Sequence, residues 1–256
     1  MRYIGRSVPD NPRRTETNPK IARPVIATLA ALLVVAAIHR PSESAFADDR
    51  PMPRIARLDS GLRVVIVEDR ALPLVSVQLW ARVGSAQDPP RRAGLAHLLR
   101  VALSRHRDLD LKMRALGLRV FDATYHDACL FEIVAPAALL DRVLAAQRER
   151  LGLEQIDERS LDALKSAVRA AAAECGATLA DSVEREALAR LYPQHPYGRI
   201  PSDVEPSLSE LSADEATLHL QRWFAAGNLT LVVVGDVRAD VVEGRARAQF
   251  ADLAWA

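Results

Sequence analysis

Apolar and polar residues alternate along the first part of the ordered-looking chain. Residues 62 to about 68 (LRVVIVE) follow a turn at Asp59-Ser60-Gly61 and read as a strand. In LPLVSVQLWARVGS, Val75, Val77, Leu79, Ala81 and Val83 alternate with Ser76, Gln78, Trp80 and Arg82. A period of two buries one face of a strand and turns the other outward. Pro89-Pro90 breaks the pattern, and the spacing then predicts a helix from about Arg92 to Ser104. A second helix, from about Leu109, stops at Gly117, a suitable C-terminal cap. LRVFDATY and DACLFEIVA read as paired strands, and Pro136 suits the first turn of a helix over AALLDRVLAAQRERLG. Residues 157–175 and 179–191 read as two more helices, and 192–206 as a loop. Ser212 and Glu215 form a capping box ahead of ADEATLHLQRWF. NLTLVVVGDV is an apolar strand, and a last helix runs from about Ala239 to Phe250. This order of strand pairs and helix runs predicts an α+β fold, a mostly antiparallel sheet with helices packed on one face.

The N-terminus follows a different pattern. Arg2, Arg6, Arg13, Arg14, Lys20 and Arg23 precede the apolar run PVIATLAALLVVAAI, and a polar segment ends at Ala45-Phe46-Ala47. Basic, apolar and Ala-x-Ala stretches in that order predict a signal peptide over residues 1–47, removed after Ala47. The run spans about 22 Å as a helix at ~1.5 Å per residue, short for a bilayer core of ~30 Å. An uncleaved anchor is the alternative. Residues 48–54 then form a short linker, and 55–256 one domain. The expected location is periplasmic or secreted, or the inner membrane facing the periplasm if the anchor stays. Thr-Glu-Thr after Arg13-Arg14 argues against a twin-arginine signal, and the lack of a cysteine near the cleavage site against a lipoprotein.

Composition narrows the function only a little. The 256-residue chain is 49% hydrophobic and 26% charged, a globular balance, and its net charge of +1 gives no basic surface for nucleic acid. Cys129 and Cys175 could pair in an oxidising compartment or remain as two buried thiols. No CxxC or Cys/His spacing suggests structural zinc.

Four ordered pieces then carry a resemblance. LDSGLRVVIVEDRALPLVSVQLWARVGSAQD, GLAHLL, HPYG and NLTLVVVGDV stand in the order found in the pitrilysin/insulinase zinc peptidases, the inverzincins, which include mitochondrial processing peptidase. The resemblance covers about residues 55–256 and implies one lobe of an insulinase-like peptidase. The family motif is H-x-x-E-H on a helix with a distant glutamate. Residues i and i+4 share a helical face, so two imidazoles grip one zinc. The glutamate at i+3 takes a proton from metal-bound water.

Here that helix reads His97-Leu98-Leu99-Arg100-Val101. The first histidine remains, Arg100 occupies the general-base position and Val101 that of the second histidine. The resemblance places Glu174 at the distant glutamate. His97, Val101 and Glu174 are therefore vestigial metal positions; no zinc is expected, although the family uses it, and no catalytic residue is assigned. His106 and His126 are rescue ligands in principle, but solvent-facing or core roles suit them better. The family's Asn-Ala-x-Thr strand, which holds an extended peptide, resembles DATYHD, with Asp122 in place of asparagine and Ala123 and Thr124 retained. HPYG, residues 195–198, is expected to pack a loop. A lost zinc would leave the Glu174 carboxylate uncompensated, so Arg100 either pairs with Glu174, directly or through water, as a substitute cation, or simply points to solvent.

The resemblance ends where a first lobe ends, so the cleft would need a second lobe from elsewhere. The chain therefore reads as an exported, non-catalytic homologue that partners another peptidase-family subunit or itself. The alternative is a metallopeptidase with an altered zinc site, or one completed by another chain.

Overall fold

The computed structural model describes residues 52–174, 179–199 and 204–253. The predicted signal peptide and most of the linker lie outside the described residues.

Among the described residues, six strands form one sheet: β1 (Arg54–Arg57), β2 (Arg63–Glu68), β3 (Leu74–Ala81), β4 (Arg119–Thr124), β5 (Cys129–Pro136) and β6 (Leu229–Gly235). Their spatial order is β1-β2-β6-β3-β5-β4. Only β2 and β6 run parallel, with Val65 opposite Val232; the other neighbours are antiparallel. The fold is α+β with a mostly antiparallel sheet, as the pattern predicts. The predicted alternation of β3 is present: Val75, Val77, Leu79 and Ala81 are fully buried, whereas Ser76, Gln78 and Trp80 are half-buried.

Eight helices join the strands among the described residues: α1 (Leu95–Arg105), α2 (Leu109–Ala115), α3 (Leu140–Arg150), α4 (Glu158–Glu174), α5 (Leu179–Leu191), α6 (Val204–Ser209), α7 (Ala213–Trp223) and α8 (Ala239–Phe250). Helix α3 rests on β3 and β5, α1 on β4 and β5, and α8 on β2. The core lies between this layer and the sheet side that carries Val64, Ile66, Val77, Leu79, Phe131, Ile133, Leu231 and Val233. The other side, with Val65, Gln78, Trp80, Glu132, Phe121 and Val232, is half-buried or exposed.

Polar groups are built into that core. Arg150 of α3 is fully buried. Its Nη2 meets Asp110 at 2.7 Å, Nε donates to Gln147 Oε1 at 3.1 Å, and Nη1 donates to the Leu103 carbonyl at 3.3 Å. Its guanidinium lies 4.6 Å from the centre of the Phe131 ring. Gln147 in turn donates to the Val77 and Phe131 carbonyls, fastening α3 across two strands.

Four local expectations are corrected. The helix predicted from Arg92 begins at Leu95, because Gly94 at φ 91° turns the chain in the left-handed region. Pro136 ends β5 opposite Leu74 instead of opening a helix. A 3-10 turn, Ala137–Leu139, separates it from α3, and the Ala137 N–H donates to the Pro73 carbonyl. The predicted loop over 192–206 contains a 3-10 turn, Pro196–Gly198, and its end enters α6. Strand β1, one residue into the predicted linker, carries no alternation because three of its four residues are exposed; its pairing with β2 defines it.

Candidate functional site

The site is assembled where α1 crosses the end of β4. Asp88, beyond a 3-10 turn at Ser85–Gln87, sets the position of α1. Its two carboxylate oxygens accept from the N–H groups of Gly94 and Ala96, both at 2.8 Å. These are donors that a helix start leaves without intrahelical partners. Asp88 is buried, and desolvation pushes its carboxyl up to about 6, against the pull of those N–H groups and of Arg199. Arg199 donates to the Asp88 carbonyl at 2.5 Å, so the loop after α5 is tied to the same corner.

His97 and Arg100 are one turn apart on α1 and face Asp122 and Thr124 of β4. Arg100 makes three directed contacts. Its Nη1 pairs with Asp122 Oδ2, its Nε donates to Thr124 Oγ1 at 3.1 Å, and its Nη2 donates to His97 Nε2 at 3.2 Å. Ser104 Oγ donates to the same Asp122 oxygen at 2.6 Å. Only 12% of the Arg100 side chain and 18% of the Asp122 side chain are exposed. Burial, and then the Arg100 charge, draw His97 down to about 4, with Asp122 opposing. Val101 is buried in the core and offers no lone pair. His97, Arg100, Val101, Ser104 and Asp122 line a cleft of about 590 Å³ together with Arg105, Asp108, Asp110 and Leu111.

Among the described residues, the side chains at the motif do not fit a catalytic zinc. Such a site takes three protein ligands and an open position. Here the one imidazole in the motif already accepts from a fixed cation, and the second position is apolar. A unit charge ~4 Å from another costs roughly 4 kcal/mol at an effective dielectric of 20, and zinc carries two. Among the described residues, no group of three or more His, Cys, Asp or Glu side chains converges as a metal site.

Each residue predicted for the motif and for the strand beside it has a definite place, except Glu174. His97, Arg100, Asp122 and Thr124 come together, and Val101 lies beside them. Ala123 alternates to the opposite side of β4. Among the described residues, that strand ends the sheet and pairs with β5 alone. Glu174 closes α4, which packs on α1, but its side chain lies outside the described residues, and so does the expected Arg100–Glu174 pair. The carboxylate that Arg100 meets among the described residues is Asp122. The sequence carried a signal for this pairing: the family's glutamate and asparagine are here arginine and aspartate, a complementary pair. Asp88 and Ser104 had no such signal.

The remaining candidates serve packing. His126 meets the Tyr197 ring edge-on at 4.8 Å between centroids. Tyr197 donates its hydroxyl to Asp127, and the Tyr197 N–H donates to His195 Nδ1 at 3.3 Å. HPYG thus clasps the β4–β5 hairpin, the loop-packing role expected for it. His106 lies in the turn between α1 and α2, outside the lining of the cleft. Cys129 is a buried free thiol against Ala96 and Thr124, pushed up to about 12 by burial. Cys175 lies outside the described residues. No described helix is long and apolar enough to cross a membrane.

No family profile and no curated protein matches the sequence. Solved structures do. A protease from Helicobacter pylori superposes with a TM-score of 0.72 at 20% identity, over 80% of this chain and 51% of the other. An inactive peptidase M16 domain from Pseudomonas fluorescens gives 0.67 at 22% identity, over 78% and 50%. Pitrilysin gives 0.69 at 18% identity, over 82% and 24%. The chain spans about half the length of the first two and a quarter of the third. It has the fold of a single lobe of an M16, pitrilysin-like peptidase.

Proposed function

We propose that this chain is an exported, non-catalytic homologue of the M16 zinc peptidases that acts as a binding or assembly partner of a second peptidase lobe, on another subunit or on a second copy. One observation carries the reading: Arg100 stands where the family places its general base and is held by Asp122, Thr124 and His97 at once. That arrangement puts a permanent cation against the His97 electron pair that zinc would need, and it fills the family's general-base position with a group that cannot take a proton. No zinc cofactor is therefore part of the reading. Among the described residues, the outer edge of β4 and the half-buried sheet side offer surface for an extended peptide or for the second lobe. The basic, apolar and Ala-x-Ala order at the N-terminus supports export to the periplasm or beyond.

Elemental analysis of the purified protein, paired with cleavage assays on unstructured peptides, tests the catalytic half. No stoichiometric zinc and no cleavage are expected. Stoichiometric zinc, with cleavage abolished by His97→Ala, would overturn the reading in favour of a metallopeptidase with an altered site. N-terminal sequencing tests export and is expected to begin at Asp48. An intact N-terminus in the membrane fraction would show the anchor form instead.

A further inference from the structure

Helix α5 is thirteen residues long, and none of its described side chains, 182–191, is buried. A helix of that length is marginal in water without packing along one face. It packs on the chain mainly through the turn Pro196–Gly198 that follows it. Ser182, Arg185, Leu188 and Ala189, on the half-buried side, face the protein. The opposite side carries Val183, Ala187 and Leu191, spaced four apart, hence one stripe. Val183 is 60% exposed and Leu191 72%. Glu186 and Arg190 flank the stripe along one border, exposed and paired with each other at 2.8 Å.

We infer that this stripe is a self-association surface whose occupant is the α5 helix of a second copy, antiparallel about a two-fold axis at Ala187. The sequence is self-complementary in that arrangement alone. Positions equidistant from Ala187 come opposite each other, so Val183 of each copy meets Leu191 of the other. Ala187, the smallest residue of the stripe, sits at the crossing and permits close approach. An antiparallel two-fold keeps like borders together, so Arg190 of each copy lies beside Glu186 of the other. A parallel two-fold would instead bring opposite borders together and set Glu186 of one copy against Glu184 of the other, two like charges. One such helix pair falls below the ~1,200 Å² of a standard interface, so association is weak and reversible. The inference does not depend on what the His97 cleft does.

Sedimentation velocity over a wide concentration range, on the expressed full chain, tests it. The wild type is expected to pass from monomer to dimer. Leu191→Glu should remain monomeric, with its helical circular dichroism unchanged. Glu186→Arg should weaken the dimer at least several-fold, and adding Arg190→Glu should restore it. In a Cys175→Ser background, Ala187→Cys should oxidise to a disulfide-linked dimer, and Glu184→Cys, set apart by the geometry, should do so at least several-fold less. A wild type that stays monomeric throughout would overturn the inference. A dimer that survives Leu191→Glu, or cross-links equally at both cysteine positions, would do the same.

Discussion

Asp88 shows how one buried carboxylate governs the position of the candidate site. It holds the first turn of α1, and its folded value of about 6 lies above its ordinary 3.8 because burial outweighs the N–H donors. The folded state therefore holds the proton more tightly than the unfolded chain. The stability this group contributes is fully present below pH ~4 and is lost as the pH rises through about 6. Two units correspond to ~3 kcal/mol. Urea unfolding of wild type and Asp88→Asn should thus show a difference that shifts by ~2–3 kcal/mol between pH 4 and pH 7, against the wild type at the higher pH. A difference independent of pH would refute the assignment. At the cleft, Arg100→Met, Asp122→Asn and the double variant form a cycle. The pair is neither fully buried nor exposed, so a coupling of ~1–2 kcal/mol is expected. Additivity within a few tenths would mean that the ion pair holds nothing together. In the core, Arg150→Met strands Asp110 and two acceptors, and ~3–5 kcal/mol of lost stability should appear in the denaturant midpoint.

At the scale of elements, most of the chain announced itself. Helix α7 begins where the motif placed it, but only half of the capping box forms: Ser212 Oγ accepts from the Glu215 N–H at 3.2 Å, while the Glu215 carboxylate pairs with Arg92 at 2.8 Å. Ser212→Ala should cost ~1 kcal/mol in thermal unfolding, whereas Ser212→Asp should cost little. The limits of α5 and α8 match their periodicity because both are bounded by clear changes of pattern. Starts were less legible where a long-range contact decides them. The first turn of α1 depends on Asp88, six to eight residues upstream, and on a left-handed glycine. Gly84 is another such case. A Cβ there would stand 2.2 Å from the Tyr125 carbonyl and 2.5 Å from that of His126. Those carbonyls accept from the Ser85 and Ala86 N–H groups, so neither can withdraw freely. Gly84→Ala should therefore destabilise the hairpin corner by ~1–3 kcal/mol, seen as faster amide exchange around residues 124–129.

For the molecule as a whole, local pattern determined the element types, the buried face of β3 and the class of the fold, because alternation and helical spacing are properties of neighbouring residues. The family resemblance, not local pattern, marked His97, Arg100 and Val101 as motif positions; helical spacing adds only that they share one face. The order of strands was a different matter. The sixth strand enters the middle of the sheet and runs parallel to β2, which no local pattern encodes. The partner of Arg100 was also decided at this scale. Glu174 and Asp122 are both carboxylates that the family pattern brings to one helix, and local spacing does not choose between them. The described contacts show Asp122 because β4 lies directly under α1 and directs alternate side chains, Asp122 and Thr124, at it. Burial of Arg150 and Asp88 belongs with these tertiary decisions. A charged residue in a sequence looks solvent-bound until the layers that enclose it and the groups that satisfy it come together.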